Sequence, residues 1–367
     1  MHFTIQREAL LKPLQLVAGV VERRQTLPVL SNVLLVVQGQ QLSLTGTDLE
    51  VELVGRVALE EPAEAGEITV PARKLMDICK SLQSDALIDI RVDEQKLLIK
   101  AGRSRFSLST LPANDFPSVE ESQGSLTFAV AQSKLRRLIE RTSFAMAQQD
   151  VRYYLNGMLW VADGQQMHLV ATDGHRMTLA SAPLEKAVER REIILPRKTV
   201  LELSRLLSDE DDAMIDIALA SNQARLTMDG LEFTSKLIEG KFPDYQRVVP
   251  KGHRNMLQVE RTTLQAALQR VAILTNDKFK GVRVNLEPGL LRLTSINAEQ
   301  EEAQEEIDVD YGGDVIEIGF NIAYLIDALA NMPSDQIRLE LLDGNSSALF
   351  TMPDEPNFKY VVMPMRI

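Results

Sequence analysis

The order of apolar and polar residues along the chain predicts alternating short strands and amphipathic helices. Runs in which every second residue is apolar predict β-strands, among them residues 32–37, 41–45 and 50–59. Apolar residues at helical spacing instead predict helices, at residues 9–23, 73–82, 133–147, 198–207, 262–274 and 322–332. We expect Pro13 to kink the first helix or delay its start, because proline has no backbone N–H to donate.

This pattern of elements occurs three times. Related strand-and-turn runs, at residues 42–50, 169–179 and 291–299, place an Asp or Asn side chain 125 and 124 residues apart, at Asp48, Asp173 and Asn297. A second marker precedes the second helix of each copy, at Pro71, Pro196 and Phe320. This period is far longer than a solenoid repeat, so we expect each copy to form a whole domain. We expect an α+β chain of three similar domains, each with two helices packed on antiparallel sheet, at residues 1–125, 126–250 and 251–367.

The composition is that of an ordinary globular protein. Hydrophobic residues make up 45% and charged residues 25% of the 367 residues, and no apolar run approaches the ~20 residues that cross a bilayer. We find no signal-peptide pattern at the N-terminus. The single cysteine, Cys79, excludes internal disulfides and indicates a reducing cytoplasm. A net charge of −12 argues against a protein that coats nucleic acid nonspecifically.

The sequence offers little support for catalysis. It has no phosphate-binding loop, no nucleophile elbow, and no histidine at metal-ligand spacing. Asp173 and His175 lie close enough to act as an acid and a base. However, Asp48 and Asn297 match Asp173 in the other copies, and a repeated Asp or Asn more often forms a turn by bonding the backbone two residues on. The pattern therefore favours a structural Asp173, no catalytic residues, no cofactor and no metal.

Several motifs together resemble one family. Three tandem copies, Thr-Asp-Gly-His-Arg at residues 172–176, Phe-Pro-Asp-Tyr at residues 242–245 and Val-Val-Met-Pro-Met-Arg at residues 361–366 are similar to the bacterial DNA polymerase III β subunits, the sliding clamps. The resemblance covers the whole chain. It implies a clamp fold and a non-enzymatic processivity factor: a head-to-tail homodimeric ring around double-stranded DNA, with helices lining the hole.

The resemblance also implies two kinds of binding site. Direct DNA contacts are expected at Arg24, Gln149, Tyr153 and Tyr154. Since adjacent strand residues face opposite ways, a strand would expose only one of the two tyrosines, whereas a loop would free both. A pocket for short, partly hydrophobic peptides is expected to be formed by Leu155, Thr172, Gly174, His175, Arg176, Met177, Pro243, Arg247, Val248, Val361, Val362, Met363, Pro364, Met365 and Arg366.

The chemistry of this pocket set fits peptide docking, with apolar side chains for a groove and Arg and His for orientation. Met177 replaces the leucine usual in the family, so we expect an altered peptide preference. The implied partners are the polymerase III α subunit, the clamp-loader δ subunit, other DNA polymerases and mismatch-repair proteins, all bound through short linear motifs. No membrane is involved.

Ring closure needs two complementary ends. Residues 102–109 alternate basic and apolar side chains, as an edge strand open to pairing does, and residues 299–306 are rich in glutamate. From the residues alone, the glutamates are more simply explained as a solvated face, as most charge runs are. The resemblance implies a dimer interface formed by Lys74, Arg103, Arg105, Phe106, Leu108, Ile273, Leu274, Glu299, Glu301, Glu302 and Glu305. The competing hypothesis is a three-domain scaffold that binds peptides without encircling DNA.

Overall fold

The computed structural model describes residues 1–21, 27–117, 119, 125–275 and 280–366. The first copy contains β1 (His2–Gln6), α1 (Arg7–Val20), β2 (Asn32–Gln38), β3 (Gln41–Thr47), β4 (Val51–Ala58), β5 (Gly66–Pro71), α2 (Ala72–Ser81), β6 (Leu87–Asp93), β7 (Lys96–Ala101) and β8 (Ser104–Ser109). The central copy contains β9 (Leu126–Ala131), α3 (Gln132–Thr142), β10 (Gly157–Thr172), β11 (Arg176–Pro196), α4 (Arg197–Leu206), β12 (Met214–Leu219), β13 (Gln223–Met228) and β14 (Leu231–Lys236). A short helix, α5 (Tyr245–Val248), follows.

The third copy repeats the element order of the first. It contains β15 (Asn255–Glu260), α6 (Arg261–Val271), β16 (Gly281–Glu287), β17 (Leu290–Ile296), β18 (Glu302–Asp308), β19 (Ile316–Asn321), α7 (Ile322–Asn331), β20 (Gln336–Leu341), β21 (Ala348–Met352) and β22 (Glu355–Val362). Three tandem α+β domains with helices on antiparallel sheets are therefore confirmed. No helix among the described residues is both long and apolar enough to cross a membrane.

The pairing of the strands aligns the three copies with one another and corrects one of the predicted marker residues. The strand before the second helix ends on Pro71 in the first copy and Pro196 in the central one, which pair with Asn32 and Gly157. In the third copy, Gly281 pairs with Asn321. The counterpart of the two prolines is therefore Asn321, and the prediction of Phe320 was wrong by one residue. Each of these three residues immediately precedes a helix, and the Asn321 side chain accepts a hydrogen bond from the Ala323 amide.

Strands from different copies pair within the same sheet. The chain therefore forms two compact units, each of which contains more than one repeat. One unit comprises Met1–Gln132 with Asp212–Leu237, and it holds the sheets β1-β6-β7-β8 and β5-β2-β3-β4-β14-β13-β12-β9. The other comprises Ser133–Asp211 with Ile238–Ile367, and it holds the sheets β10-β11-β22-β21-β20-β15 and β18-β17-β16-β19. In the first unit β4 pairs with β14, and in the second β11 pairs with β22.

The apolar stripe predicted for α1 is buried. Leu10, Leu14 and Val17 are inaccessible to solvent, and the helix packs on β3, β4 and α2. The helix begins at Arg7 and contains Pro13, so the proline does not delay its start.

Gly46 of β3 lies directly under α1. A Cβ atom there would come within 2.7 Å of the Val17 carbonyl oxygen and 2.9 Å of its Cγ1. We therefore expect Gly46→Ala to lower the free energy of unfolding by about 1–3 kcal/mol, because the helix must move outward to make room. Gly19→Ala is the control: no heavy atom lies within 4 Å of its Cβ position, and alanine in a helix is worth up to ~1 kcal/mol more than glycine. Thermal denaturation should move the two variants in opposite directions, and an unchanged midpoint for Gly46→Ala would contradict this packing.

Candidate functional site

The turn between β10 and β11 is built by side chains that bond its own backbone. One Asp173 carboxylate oxygen accepts hydrogen bonds from the amides of His175 and Arg176, at 2.9 and 3.1 Å. In the first copy, Asp48 accepts from the amides of Glu50 and Val51 at 2.9 and 2.7 Å. The structural role predicted for Asp173 is confirmed. The His175 ring instead stacks on Tyr324, with 6.3 Å between centroids.

This turn forms one wall of an apolar cavity. The cavity holds about 610 Å³ of empty space, part of it open to solvent. Its walls are the ends of β10, β11 and β22, the short helix α5, and a 3₁₀ turn at Tyr153–Leu155. The lining residues are Arg152, Tyr154, Leu155, Thr172, Gly174, Arg176, Met177, Phe242, Pro243, Tyr245, Val248, Val361 and Met363. Many of the apolar lining residues also belong to a buried hydrophobic cluster, so core packing holds this part of the cavity wall in place.

The structure brings most of the predicted pocket residues together and places others outside the cavity wall. Those outside are His175, Arg247, Val362, Pro364, Met365 and Arg366. Strand alternation separates Val361 from Val362: Val361 pairs with Met177 and lines the cavity, whereas Val362 pairs with Arg176. Arg247 lies in solvent and forms an ion pair with Asp244 at 3.0 Å.

Four lining residues were not predicted for the pocket: Arg152, Tyr154, Phe242 and Tyr245. The Phe-Pro-Asp-Tyr motif contains Phe242 and Tyr245 and could have indicated both. Tyr154 was assigned to DNA alone. Nothing in the local sequence indicates Arg152, which reaches the cavity only because Gly174 leaves room for it.

Arg152 is held at the cavity rim by two partners. Its guanidinium binds both carboxylate oxygens of Asp150, at 2.9 and 3.0 Å, and donates to the Asp173 carbonyl oxygen at 3.2 Å. The bond from Arg152 lowers the pKa of the Asp150 carboxyl to about 2. Gly174 has φ +88°, and a Cβ there would lie 2.8 Å from the Arg152 Nη1. Glycine therefore allows both the turn and the arginine over it.

Comparison with known proteins finds matches along almost the whole chain. Models of the N-terminal, central and C-terminal domains of the DNA polymerase III beta subunit match residues 1–120, 129–244 and 246–366. The chain belongs to the DNA polymerase III beta-subunit family. The beta sliding clamps of Pseudomonas putida and Pseudomonas aeruginosa are 66% and 64% identical to it, over 100% of each chain.

Solved structures of the family have the same fold. The DNA polymerase III subunit beta from Pseudomonas aeruginosa superposes with a TM-score of 0.97 at 63% identity, over 100% of both chains. The sliding clamp of that organism bound to griselimycin superposes with a TM-score of 0.96 at 64% identity, again over 100% of both chains. Members of this family are non-catalytic processivity clamps, so the acid–base interpretation of Asp173 and His175 is dropped. Within the described part of the chain, no cluster of His, Cys, Asp or Glu could hold a metal ion.

The residues predicted to contact DNA lie in different surroundings. Arg24 lies outside the described residues. Gln149 is exposed and has φ +55°. Tyr153 is exposed, whereas Tyr154 is half-buried against the apolar cluster of the pocket. The 3₁₀ turn therefore points the two rings into different environments, and they meet edge to face with centroids 5.9 Å apart.

The residues predicted for the dimer interface lie on two edge strands and their neighbours. In the first unit, β8 is the last strand of its sheet. Arg105 on this strand and Arg103 just before it are exposed, and Leu108 is buried. Lys74 is exposed on α2.

In the second unit, β18 is the last strand of its sheet and carries Glu302 and Glu305. Glu305 accepts two hydrogen bonds from Arg270, at 2.7 and 2.8 Å, and Glu301 bonds Asn297. Ile273 and Leu274 follow α6 in a 3₁₀ turn, with Ile273 exposed and Leu274 half-buried; Glu299 is also exposed.

Proposed function

We propose that the chain tethers DNA polymerases to double-stranded DNA as a homodimeric ring, and that its partners dock in the apolar cavity. The observation that carries the proposal is the cavity itself, a groove lined mostly by apolar side chains together with a few polar ones. Such a groove suits a short, partly hydrophobic peptide. The partners are the polymerase III α subunit, the clamp-loader δ subunit, other DNA polymerases and mismatch-repair proteins.

The same cavity is the proposed site for griselimycin, which is bound to the Pseudomonas aeruginosa clamp. Met177 is buried in the cavity wall. An unbranched methionine adapts to more shapes than leucine, so we propose that it widens the range of peptides accepted.

Ring closure is proposed to join β8 of one copy to β18 of the next. Both are sheet edges with unpaired backbone groups on their outer side, and such edges accept a strand from another chain. Arg105 on β8, Arg103 just before it, and the glutamates on or near β18 give the two edges opposite charge. A head-to-tail contact of this kind closes into a ring when the rotation between copies permits.

DNA is proposed to pass through the ring without sequence recognition. Loose phosphate contacts through Arg24, Gln149, Tyr153 and Tyr154 allow sliding, because contacts to phosphate carry no sequence information. Because the ring encloses the DNA, it stays on the DNA without tight electrostatic binding, which agrees with a net charge of −12 on the chain. We propose that residues 1–125, 126–250 and 251–367 are the three domains of each subunit, that no cofactor is needed, and that the ring acts in the cytoplasm, where bacterial DNA is replicated.

Retention on circular DNA tests this proposal. The chain is loaded on nicked circular DNA by a clamp loader with ATP, and half of the sample is then linearised. We expect retention on circles and loss from linear molecules, because a ring slides off free ends. Equal release from both forms would exclude topological tethering and leave a peptide-binding scaffold.

A further inference from the structure

The side chain of Arg176 has partners that lie outside the pocket. Its guanidinium donates to an Asp327 carboxylate oxygen at 2.7 Å, to an Asp173 carboxylate oxygen at 3.1 Å and to the Phe144 carbonyl oxygen at 3.1 Å. Only 10% of the side chain is exposed. Asp327 and Phe144 do not line the cavity. Three hydrogen bonds within the protein therefore hold the charged end of Arg176 in place.

Aromatic rings enclose the same guanidinium. Its central carbon lies 4.6 Å from the centroid of Tyr324 and 5.6 Å from that of Phe144, both within cation–π range. Tyr360 stacks on Phe144 and donates its hydroxyl to the Tyr324 carbonyl oxygen at 2.9 Å. Burial alone would lower the pKa of Arg176, but Tyr360, Asp327 and Asp173 outweigh it and raise the pKa. The cation is thus stabilised where it lies.

This cluster is attached directly to strands that form the pocket. Arg176 precedes Met177 on β11, and Tyr360 precedes Val361 on β22. Met177 and Val361 are cross-strand partners and line the cavity. The Met363 amide donates to the His175 carbonyl oxygen at 2.8 Å, which continues the pairing beyond the end of β22.

We propose that Asp327, on α7, is a positioning residue for the peptide pocket. Its carboxylate holds the Arg176 guanidinium between α7, Phe144 and the Asp173 turn, and so fixes the relative position of the strand ends that carry Met177, Val361 and Met363. This inference rests on the proposed function of the cavity as a docking site. A pocket held in its binding shape loses less entropy when a ligand enters, so loosening it weakens affinity without removing a ligand contact.

Three variants test this role by griselimycin affinity, measured by isothermal titration calorimetry. Asp327→Ala removes the carboxylate from a partly exposed helix position and should weaken binding by roughly tenfold, equivalent to ~1.4 kcal/mol. Asp327→Glu keeps a carboxylate that can reach Arg176 and should restore most of the affinity. Glu355→Ala is the matched control, because Glu355 binds Arg141 through both oxygens at 2.8 and 3.0 Å, lies on β22 itself and does not line the cavity.

The outcomes separate positioning from general stability. We expect similar decreases in melting temperature for Asp327→Ala and Glu355→Ala, with lost affinity only in the first. Wild-type affinity in Asp327→Ala, or an equal loss in Glu355→Ala, would overturn the positioning role and leave the docking function intact. If the unaltered chain fails to bind griselimycin, the proposed docking site itself is overturned.

Discussion

Ending the chain at Val362 is expected to weaken griselimycin binding severely. The truncation removes Met363, which lines the cavity and is 39% exposed, together with the backbone bonds from Met363 to His175 and from Met365 to Gly319, each 2.8 Å. Loss of an apolar side chain that serves as an anchor in a docking site costs about 2 kcal/mol or more. Because the His175 carbonyl oxygen, just before β11, also loses its hydrogen-bond donor, we expect affinity to fall by roughly a hundredfold, measured by isothermal titration calorimetry.

A shorter truncation is the control for this experiment. Ending the chain at Met365 removes Arg366 and Ile367; Arg366 was predicted for the pocket but does not line the cavity. This variant keeps both backbone bonds and should bind griselimycin with nearly the affinity of the full chain. Equal affinity in the Val362 truncation and the full chain would show that the ligand binds elsewhere. A large loss in the Met365 truncation would instead restore Arg366 to the site.

The helices and strands of this fold could be predicted from the sequence, because each depends on residues that are close together along the chain. Helix positions followed from apolar spacing: the predicted starts differ from the observed ones by at most two residues, and the predicted ends by at most five. The wrong marker, Phe320, has a physical explanation. Proline and asparagine both suit the residue before a helix, proline through its fixed φ and asparagine through its side-chain cap, so the true match between Pro196 and Asn321 was hidden by a change of residue type.

The pocket could be predicted only through the family resemblance, since its walls come from distant segments. Arg176 was expected to orient a peptide, yet the partner in its shortest hydrogen bond, Asp327, is 151 residues away along the chain. No local pattern encodes such an ion pair. Arg152 likewise reaches the rim through a turn conformation that requires Gly174. Strand alternation, by contrast, is a local property, and it correctly implies that Val361 and Val362 cannot both face the cavity.

The second large effect is expected at the proposed ring interface. Ile273 is 77% exposed in the single chain, an unusual position for an aliphatic residue. If a second copy covers it, Ile273→Asp buries a carboxylate without a partner, and burying an unpaired charge costs several kcal/mol. We therefore expect monomers at concentrations where the unaltered chain is dimeric, measured by light scattering after size-exclusion chromatography. The folded chain itself should be unaffected, since a carboxylate at so exposed a position remains in water.

Val315→Asp distinguishes loss of the interface from a general effect of added charge. Val315 is 69% exposed and precedes β19, at the edge of the sheet opposite β18. The same substitution there should leave the dimer intact. Because retention on circular DNA requires a closed ring, Ile273→Asp should also lose retention while keeping griselimycin affinity, since its pocket is unchanged. If Ile273→Asp is still dimeric, the dimer contact lies elsewhere on the chain. If the variant is monomeric but is still retained on circular DNA, retention does not require a closed ring.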